Sequence, residues 1–316
     1  MEALGCQGYV HSTESMACLE GPGIRFLVFL SGCPSRCVYC ENPDTWSTTA
    51  GSLCSVRSVL EKVRRTLPYM GMPPCPTSID DLARECASRS DSSTTYRDML
   101  LARDEAAEGP PPSRGGLSVS GGEPLTQHTF AASIMSACKR LWGMHTVLET
   151  TGRCSLPRVV YPEVLPWTDL VLLCIKGTRR EKYESITRVS GGWDHMLSFL
   201  TTLHQMRKPW WCRYVVLPGH TDSREDVDAL LELCVEHGKG LVTEEQPQAP
   251  SERTLGRVEC LAYHNLGEFK WHELNEPYPL ADVPQCNHDD VRRVCEWIRE
   301  GLRSHGMGDV AVTGDD

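Results

Sequence analysis

From residue 24 onward the chain repeats one rhythm, and that rhythm constrains its fold more than any other feature. Short apolar runs rich in β-branched residues alternate with longer runs whose apolar residues recur at helical spacing. Six short runs are legible: Ile24 to Leu30, Leu117 to Ser120, His145 to Thr150, Asp169 to Lys176, Trp211 to Leu217 and Val258 to Tyr263. Between them Val56 to Leu67, Gln127 to Leu141, Met196 to Met206 and Glu225 to His237 read as amphipathic helices, and Asp289 to Ser304 as a last one before Gly306. Parallel strands need a crossover long enough to hold a helix, so this alternation is the pattern of βα units around a parallel sheet. The expected fold class is α/β, a partial (β/α)6 barrel. A chain of 316 residues with 40% hydrophobic content can bury such a core, here expected as one domain over residues 8–306.

Two segments break the rhythm. Residues 72–114 contain PPCPTS, SRSDSSTT and EGPPPSRGG, a Pro-, Ser- and charge-rich composition that reads as a disordered, low-complexity insertion after the first βα unit. Ile79 to Ala87 inside it has a helical pattern, yet no flanking sequence offers a core for it to pack on. Residues 244–256 are a shorter insertion, and residues 307–316 read as a flexible tail. None of the three carries a repeat or a chemical motif.

The formal charge of -10 argues against a phosphate-backbone binder, which needs a basic face, so no nucleic-acid partner is expected. No apolar run approaches the roughly 20 residues of a spanning helix, so no membrane is expected either. Sixteen cysteines do not make a disulfide scaffold here, because the chain is long, no secretory signal is read at its start, and most thiols stand singly in apolar runs. Cys138, Cys212, Cys234, Cys260 and Cys295 read as small buried hydrophobes. A reducing compartment follows: the cytoplasm, or an organelle if a leader lies outside this chain. A monomer is expected.

One cysteine group is different. GCPSRCVYCENPDTW places Cys33, Cys37 and Cys40 in a loop after the first strand, at the strand end where β/α folds build their active sites. Structural zinc wants four ligands, usually in two pairs, and the C-x3-C-x2-C spacing has no matching second pair; Cys54 is the nearest spare thiol. A disulfide reading leaves one thiol over. A 4Fe-4S cluster is normally held by four thiolates, so three would leave one iron open to an outside ligand. Spacing alone leaves the metal undecided between zinc and iron. Tyr39, between the last two cysteines, either stacks on a planar ligand group or simply packs.

With these residues in view, C-x3-C-x-aromatic-C after a first strand resembles the radical S-adenosylmethionine superfamily. The segments GYVHSTES, GPGIRFLVFLSGC, CENPDTW, SGGEPLTQ, DLVLLCIK, RYVVLPGHTD, LAYHNLGEFKW and PYPLADVP, in unbroken order, are similar to the family of pyruvate formate-lyase activating enzymes. The likeness runs from Gly8 to about Gly71 and from Gly115 to about Leu302. It implies one 4Fe-4S cluster on Cys33, Cys37 and Cys40, whose open iron binds the amino and carboxylate groups of S-adenosylmethionine. One electron then cleaves the sulfonium to methionine and a 5'-deoxyadenosyl radical, the hard chemistry being the cofactor's. The implied protein partner is pyruvate formate-lyase, which loses a hydrogen atom from a glycine near its C-terminus. The implied electron donor is a flavodoxin or ferredoxin.

The resemblance also assigns residues. Gly121, Gly122 and Glu123 of SGGEP match the motif for the methionine amino group; glycines admit close approach, and the carboxylate either holds the loop or attracts the ammonium. Lys176 matches a lysine near the methionine carboxylate, the bland alternative being a solvated strand-end lysine. His264 matches a histidine on the nucleoside, and Arg213 an arginine near the substrate peptide, with an internal ion pair as its alternative. Val215 and Val216 read as barrel core. Tyr39, Cys40, Glu41, Thr150, Cys174 and Ile175 complete the implied cofactor surroundings, and Glu20 joins Arg213 and His264 at the implied reacting centre.

Four positions depart from the family. Glu41 stands where a histidine is expected, and Glu20 and Glu149 replace aspartates. Cys174 replaces an aspartate that helps hold a monovalent cation beside the cofactor carboxylate, and thiol is a poor ligand for a hard cation. Either the longer Glu149 compensates or the cation site is weakened or absent. Two other readings stay open: an activase of a different glycyl radical enzyme, although no further four-cysteine run accompanies Cys75 and Cys86, and a non-catalytic zinc or iron-sulfur paralogue.

Overall fold

Nine strands organise the computed structural model, which describes residues 2–75, 77–88, 115–239 and 253–314. The chain divides into two compact units. The first comprises Met1–Gly32, Ser47–Glu149 and Arg158–Asp169; the second comprises Cys33–Trp46, Thr150–Pro157 and Leu170–Asp316.

In the first unit the strands are β1 (Gln7–Ala17), β2 (Arg25–Leu30), β3 (Ser52–Ser55), β4 (Gly116–Gly121) and β5 (His145–Thr150), in the order β3-β1-β2-β4-β5. β2, β4 and β5 run parallel, with Leu30 beside Gly121 and Gly116 beside His145. β2 reads RFLVFL and is buried on both faces, as a central parallel strand must be. The helix Val56–Thr66 covers the sheet with Val56, Val59, Leu60 and Val63, and the Ser55 hydroxyl caps it by accepting from Ser58 N. The helix His128–Trp142 buries Phe130, Ile134, Met135, Cys138 and Leu141 and ends on Gly143 at φ 62°, where its amide returns to Lys139 O.

Two findings here differ from the sequence reading. GYVHSTES is not merely family text: it forms β1, antiparallel to β2 and β3. Its period-2 alternation is blurred by two register shifts, between Val10 and Ser12 and between Glu14 and Ala17. The second concerns residues 72–114. Ile79–Ser88 is a helix, and Met72, Cys75, Ile79 and Leu82 are buried. An Arg57–Asp80 ion pair and a bond from Arg64 Nη1 to Cys75 O (3.1 Å) tie this piece to the helix Val56–Thr66, which supplies the packing partner that flanking sequence lacks. Residues 89–114 lie outside the described residues.

The second unit holds β6 (Leu170–Cys174), β7 (Trp210–Val216), β8 (Leu255–Ala262) and β9 (Ala311–Thr313), all parallel and in that order. Helices Arg180–Thr187, Gly192–Gln205, Arg224–Gly238 and His288–Ser304 follow the strands. The expected flexible tail is instead structured to its strand: β9 extends the ladder beside Arg257 to Glu259, and Met307 is buried. A three-residue strand is too short to leave a periodic signal. Of the shorter insertion, residues 244–252 lie outside the described residues, while Thr254 is buried and Leu255 opens β8. The five cysteines read as hydrophobes are all buried. Cys212 shares a thiol hydrogen bond with Cys234, and that bond together with burial drives its thiol far above the usual range. Among the described residues no helix is long and apolar enough to cross a membrane.

A half-buried polar network closes the N-terminal ends of β2, β4 and β5 in the first unit. Lys139 Nζ lies 2.5 Å from Asp169, whose Oδ2 accepts from Thr146 N at 2.9 Å. His145 Nδ1 faces Arg25 Nη2 at 3.4 Å. Burial first, then the Arg25 cation, lowers the His145 pKa to about 4; Asp169 opposes and Lys139 assists. Below the ordinary value of 6.5 the unfolded chain binds a proton that the folded chain refuses. The contribution is therefore complete above pH 6.5 and is lost as pH falls toward 4. Thermal midpoints measured from pH 7 to pH 4 are expected to fall across that window, and His145→Gln is expected to flatten the slope. An equal slope in the variant would contradict this.

Candidate functional site

The SGGEPLTQ turn of the first unit is built by its own side chains. Gly121 has φ 119°, and a Cβ there would lie 2.2 Å from Leu30 O, so the missing side chain is explained by the closeness of β2. Gly122 N donates to Leu30 O (2.8 Å) and Glu123 N to Gly32 O (2.8 Å). The Glu123 carboxylate is buried and accepts from Leu125 N (3.2 Å), a bond that holds the loop. Thr126 Oγ1 donates to Glu123 O, and Gln127 brackets β1 and Ser31: its Oε1 accepts from Tyr9 N, and its Nε2 lies 2.8 Å from both Tyr9 O and Ser31 O.

One face of the same unit carries alternating polar residues. Ser118 and Ser120 of β4 share a face by the period of two. Ser120 Oγ donates to Glu149 Oε2 (2.6 Å), and Ser118 Oγ donates to the backbone oxygen of Glu20 (2.6 Å). A Cβ on Gly21 would lie 2.9 Å from Val147 Cγ2, so the GPG turn lies flat on this face and brings Glu20 with it. Arg25 fastens the turn, its Nη1 donating to Pro22 O and its Nε to Ser118 Oγ. The structure thus brings Gly121, Gly122, Glu123, Glu149 and Glu20 together within one unit.

The second unit holds the cysteine loop. Arg36 N and Val38 N donate to Thr187 O and Ile186 O (both 2.9 Å), Cys33 N to Trp46 O (3.2 Å), and Cys40 N closes a turn on Cys37 O (3.0 Å). Trp271 Nε1 donates to Cys40 O (2.8 Å), and Lys270 Nζ to Asn42 Oδ1 (2.8 Å). Behind the loop Tyr39, Tyr263, Trp271, Tyr278 and Leu217 form an apolar cluster, with Trp46 edge-on to Trp271. Tyr39 is thereby packed.

The donor set fits a thiolate-bound cluster. Burial pushes the Cys40 thiol up to about 11, and Cys33 adds to it, so the proton stays until a cation replaces it. The Trp46 Nε1–H is buried without a conventional acceptor, yet it acts on the Cys40 sulfur; a metal-bound thiolate there would complete the bond.

Of the other expected residues of this unit, three stand beside the loop. Lys176, two positions beyond β6, lies 5.3 Å from the Tyr39 ring centroid. Cys174 closes β6 and is buried, and Ile175 N donates to Arg213 O (3.0 Å). Thr150 Oγ1 accepts from Gly152 N (2.9 Å). Arg213 is buried with its Nε 2.7 Å from Glu259 Oε2, the internal ion pair weighed as its alternative; Glu259 also faces Arg257 at 3.4 Å. Val215 packs against the aromatic cluster and Val216 is buried. His264 Nε2 lies 2.5 Å from Glu41 Oε1, pairing a predicted nucleoside contact with a predicted departure from family pattern.

Sequence reasoning missed Trp46, Trp271, Thr126, Gln127 and Ser120. Their signal was available only as adjacency to CENPDTW, EFKW and SGGEPLTQ, because each acts by a bond to backbone or to a neighbour far away in the chain.

A family model for the radical SAM superfamily matches residues 27–234. The pyruvate formate-lyase-activating enzyme of Clostridium pasteurianum is 31% identical over 296 residues, covering 93% of this chain and 98% of that protein. A protein of the same name from Staphylococcus aureus is 30% identical, covering 92% and 95%. Among solved structures, a radical SAM methyltransferase from Sphaerobacter thermophilus superposes with TM-score 0.52 at 12% identity, over 92% of this chain and 65% of that one. Streptococcus suis SuiB bound to precursor peptide SuiA gives 0.51 at 13%, over 91% and 48%. At these identities the structural likeness speaks for the fold alone, an α/β fold of the radical SAM type.

Proposed function

The chain belongs to the radical SAM superfamily and, within it, to the pyruvate formate-lyase-activating enzymes, and on that premise we propose that it activates pyruvate formate-lyase by making a glycyl radical. The observation that carries the reading is the pinned loop bearing Cys33, Cys37 and Cys40, with Lys176 beside it. When bound there, a 4Fe-4S cluster supplies one electron to S-adenosylmethionine, whose sulfonium yields methionine and a radical able to take a hydrogen atom from glycine.

The protein's share is orientation and exclusion of water. Cys33, Cys37 and Cys40 would hold the cluster. Lys176 gives a point charge for the methionine carboxylate, its position set by the Tyr39 face. Glu123 and Gln127 keep the glycine turn rigid, so its backbone is preorganised for the methionine amino group. Arg213, anchored by Glu259, would meet the substrate peptide. Cys174 puts a soft atom where a hard monovalent cation wants oxygen, and the proposed mechanism uses no such cation. The electron would come from a flavodoxin or ferredoxin.

The test is anaerobic reconstitution with iron and sulfide, reduction, and addition of S-adenosylmethionine. Both 5'-deoxyadenosine and a glycyl-radical EPR signal on added pyruvate formate-lyase are expected. Deoxyadenosine without the protein radical would move the substrate to another glycyl radical enzyme, and neither product from a loaded cluster would end the proposal.

A further inference from the structure

We propose that Glu41 is a positioning residue that fixes the His264 imidazole for the nucleoside half of S-adenosylmethionine; the inference rests on the cofactor reading above. Glu41 follows the last cysteine, and its Oε1 lies 2.5 Å from His264 Nε2. On the other edge of the ring Nδ1 lies 3.4 Å from Leu266 N, whose proton points at it. A backbone N–H can meet only a lone pair, so the ring proton sits on Nε2 and donates to Glu41. Both ring edges are thereby committed, and what His264 offers a ligand is its flat face at a fixed tilt. Such a face suits a heteroaromatic base.

The surroundings show that this pair is built into the fold. A Cβ on Gly267 would lie 2.6 Å from Glu41 Cα, so the turn after His264 closes directly on the Glu41 backbone. Further along the same segment Lys270 reaches Asn42 and Asp44, and Trp271 reaches Cys40 O. Residues 40–44 and 264–271 are therefore tied to each other at several points, and the carboxylate decides how the ring stands among them. A glutamate reaches the imidazole Nε2 only as an acceptor. A histidine at position 41 could do so only through a lone pair of its own.

The test uses the full chain with its cluster loaded. Glu41→Ala is expected to weaken S-adenosylmethionine binding about tenfold, the scale of one hydrogen bond, with iron content unchanged. Glu41→Gln keeps an acceptor oxygen at the same reach and is expected to stay within about twofold of the parent, a rescue that loss of packing would not give. Independently, 15N spectra of histidine-labelled protein should show a lone-pair signal at His264 Nδ1 in the parent and in Glu41→Gln, and mixed tautomers in Glu41→Ala. Equal affinity in Glu41→Ala, or a protonated Nδ1 in the parent, overturns the positioning role and leaves the cofactor reading standing. A loaded parent that binds no S-adenosylmethionine overturns the cofactor reading and this inference together.

Discussion

Cys37→Ala is expected to leave a folded chain that retains little iron and cleaves no measurable S-adenosylmethionine, and Cys33→Ala and Cys40→Ala to behave alike. Partners one step removed from a metal already matter ten- to a hundredfold, so loss of a direct ligand should exceed about a hundredfold. Folding should survive because the loop is held by its backbone. The amides of Cys33, Arg36, Val38 and Cys40 make their bonds whatever side chain stands at the cysteine positions. The Trp271 bond ends on the Cys40 carbonyl oxygen, not its sulfur. Iron per chain, deoxyadenosine yield and the thermal midpoint separate the cases. Full turnover in any one of the three variants would sink the cluster assignment; loss of turnover with a collapsed midpoint would assign the cysteine to stability instead.

The loop was legible because its chemistry sits in eight consecutive positions. So were the strands: β5 runs over the span expected from periodicity, and β2, β4, β7 and β8 lie within three residues of it. A buried parallel strand is a short apolar run with turn residues at each end, and such runs leave little room for misreading. What was not legible depends on distant pairing. β1 is polar along much of one face and bulged, so alternation fails, and it becomes a strand only by pairing with β2 and β3. Ile79–Ser88 and β9 likewise depend on neighbours far along the chain.

Individual site residues divide in the same way. Arg213 could be singled out by the resemblance carried by RYVVLP, but Glu259, its partner on β8, shares no motif with it. Glu41 read as an isolated departure from the family, and Cys174 as another. The structure gives the first a partner in His264 and sets the second, buried, close enough to Cys212 and Tyr39 to act on both. A substitution is explicable from sequence only when its partner lies in the same short segment.

Arg25→Met should be among the most destabilising substitutions in the chain, by about 3 kcal/mol, the scale of leaving buried neutral acceptors without a donor. Arg25 is 0% exposed. Its Nε donates to Ser118 Oγ (2.6 Å), its Nη1 to Pro22 O (2.8 Å), and its Nη2 to Leu117 O (2.7 Å) and His145 O (3.0 Å). Burial lowers its pKa to about 10, with Asp169 and Glu20 pulling the other way, so the cation persists at neutral pH. Methionine matches the length of the stem but strands these acceptors away from water, each at a cost of its own. Against a total stability of roughly 5–15 kcal/mol that is a large share. Arg25→Lys keeps the charge and loses the fork, so its midpoint should fall between the two. The methionine variant also removes the cation that helps to depress His145, so acid should destabilise it over a narrower range below pH 6.5 than it does the parent. The GPG turn would lose its anchor as well, and Glu20 its position over β4. Denaturation at pH 7 and at pH 5 measures both effects, and a variant as stable as the parent at both values would show that the network is not what holds these strand ends together.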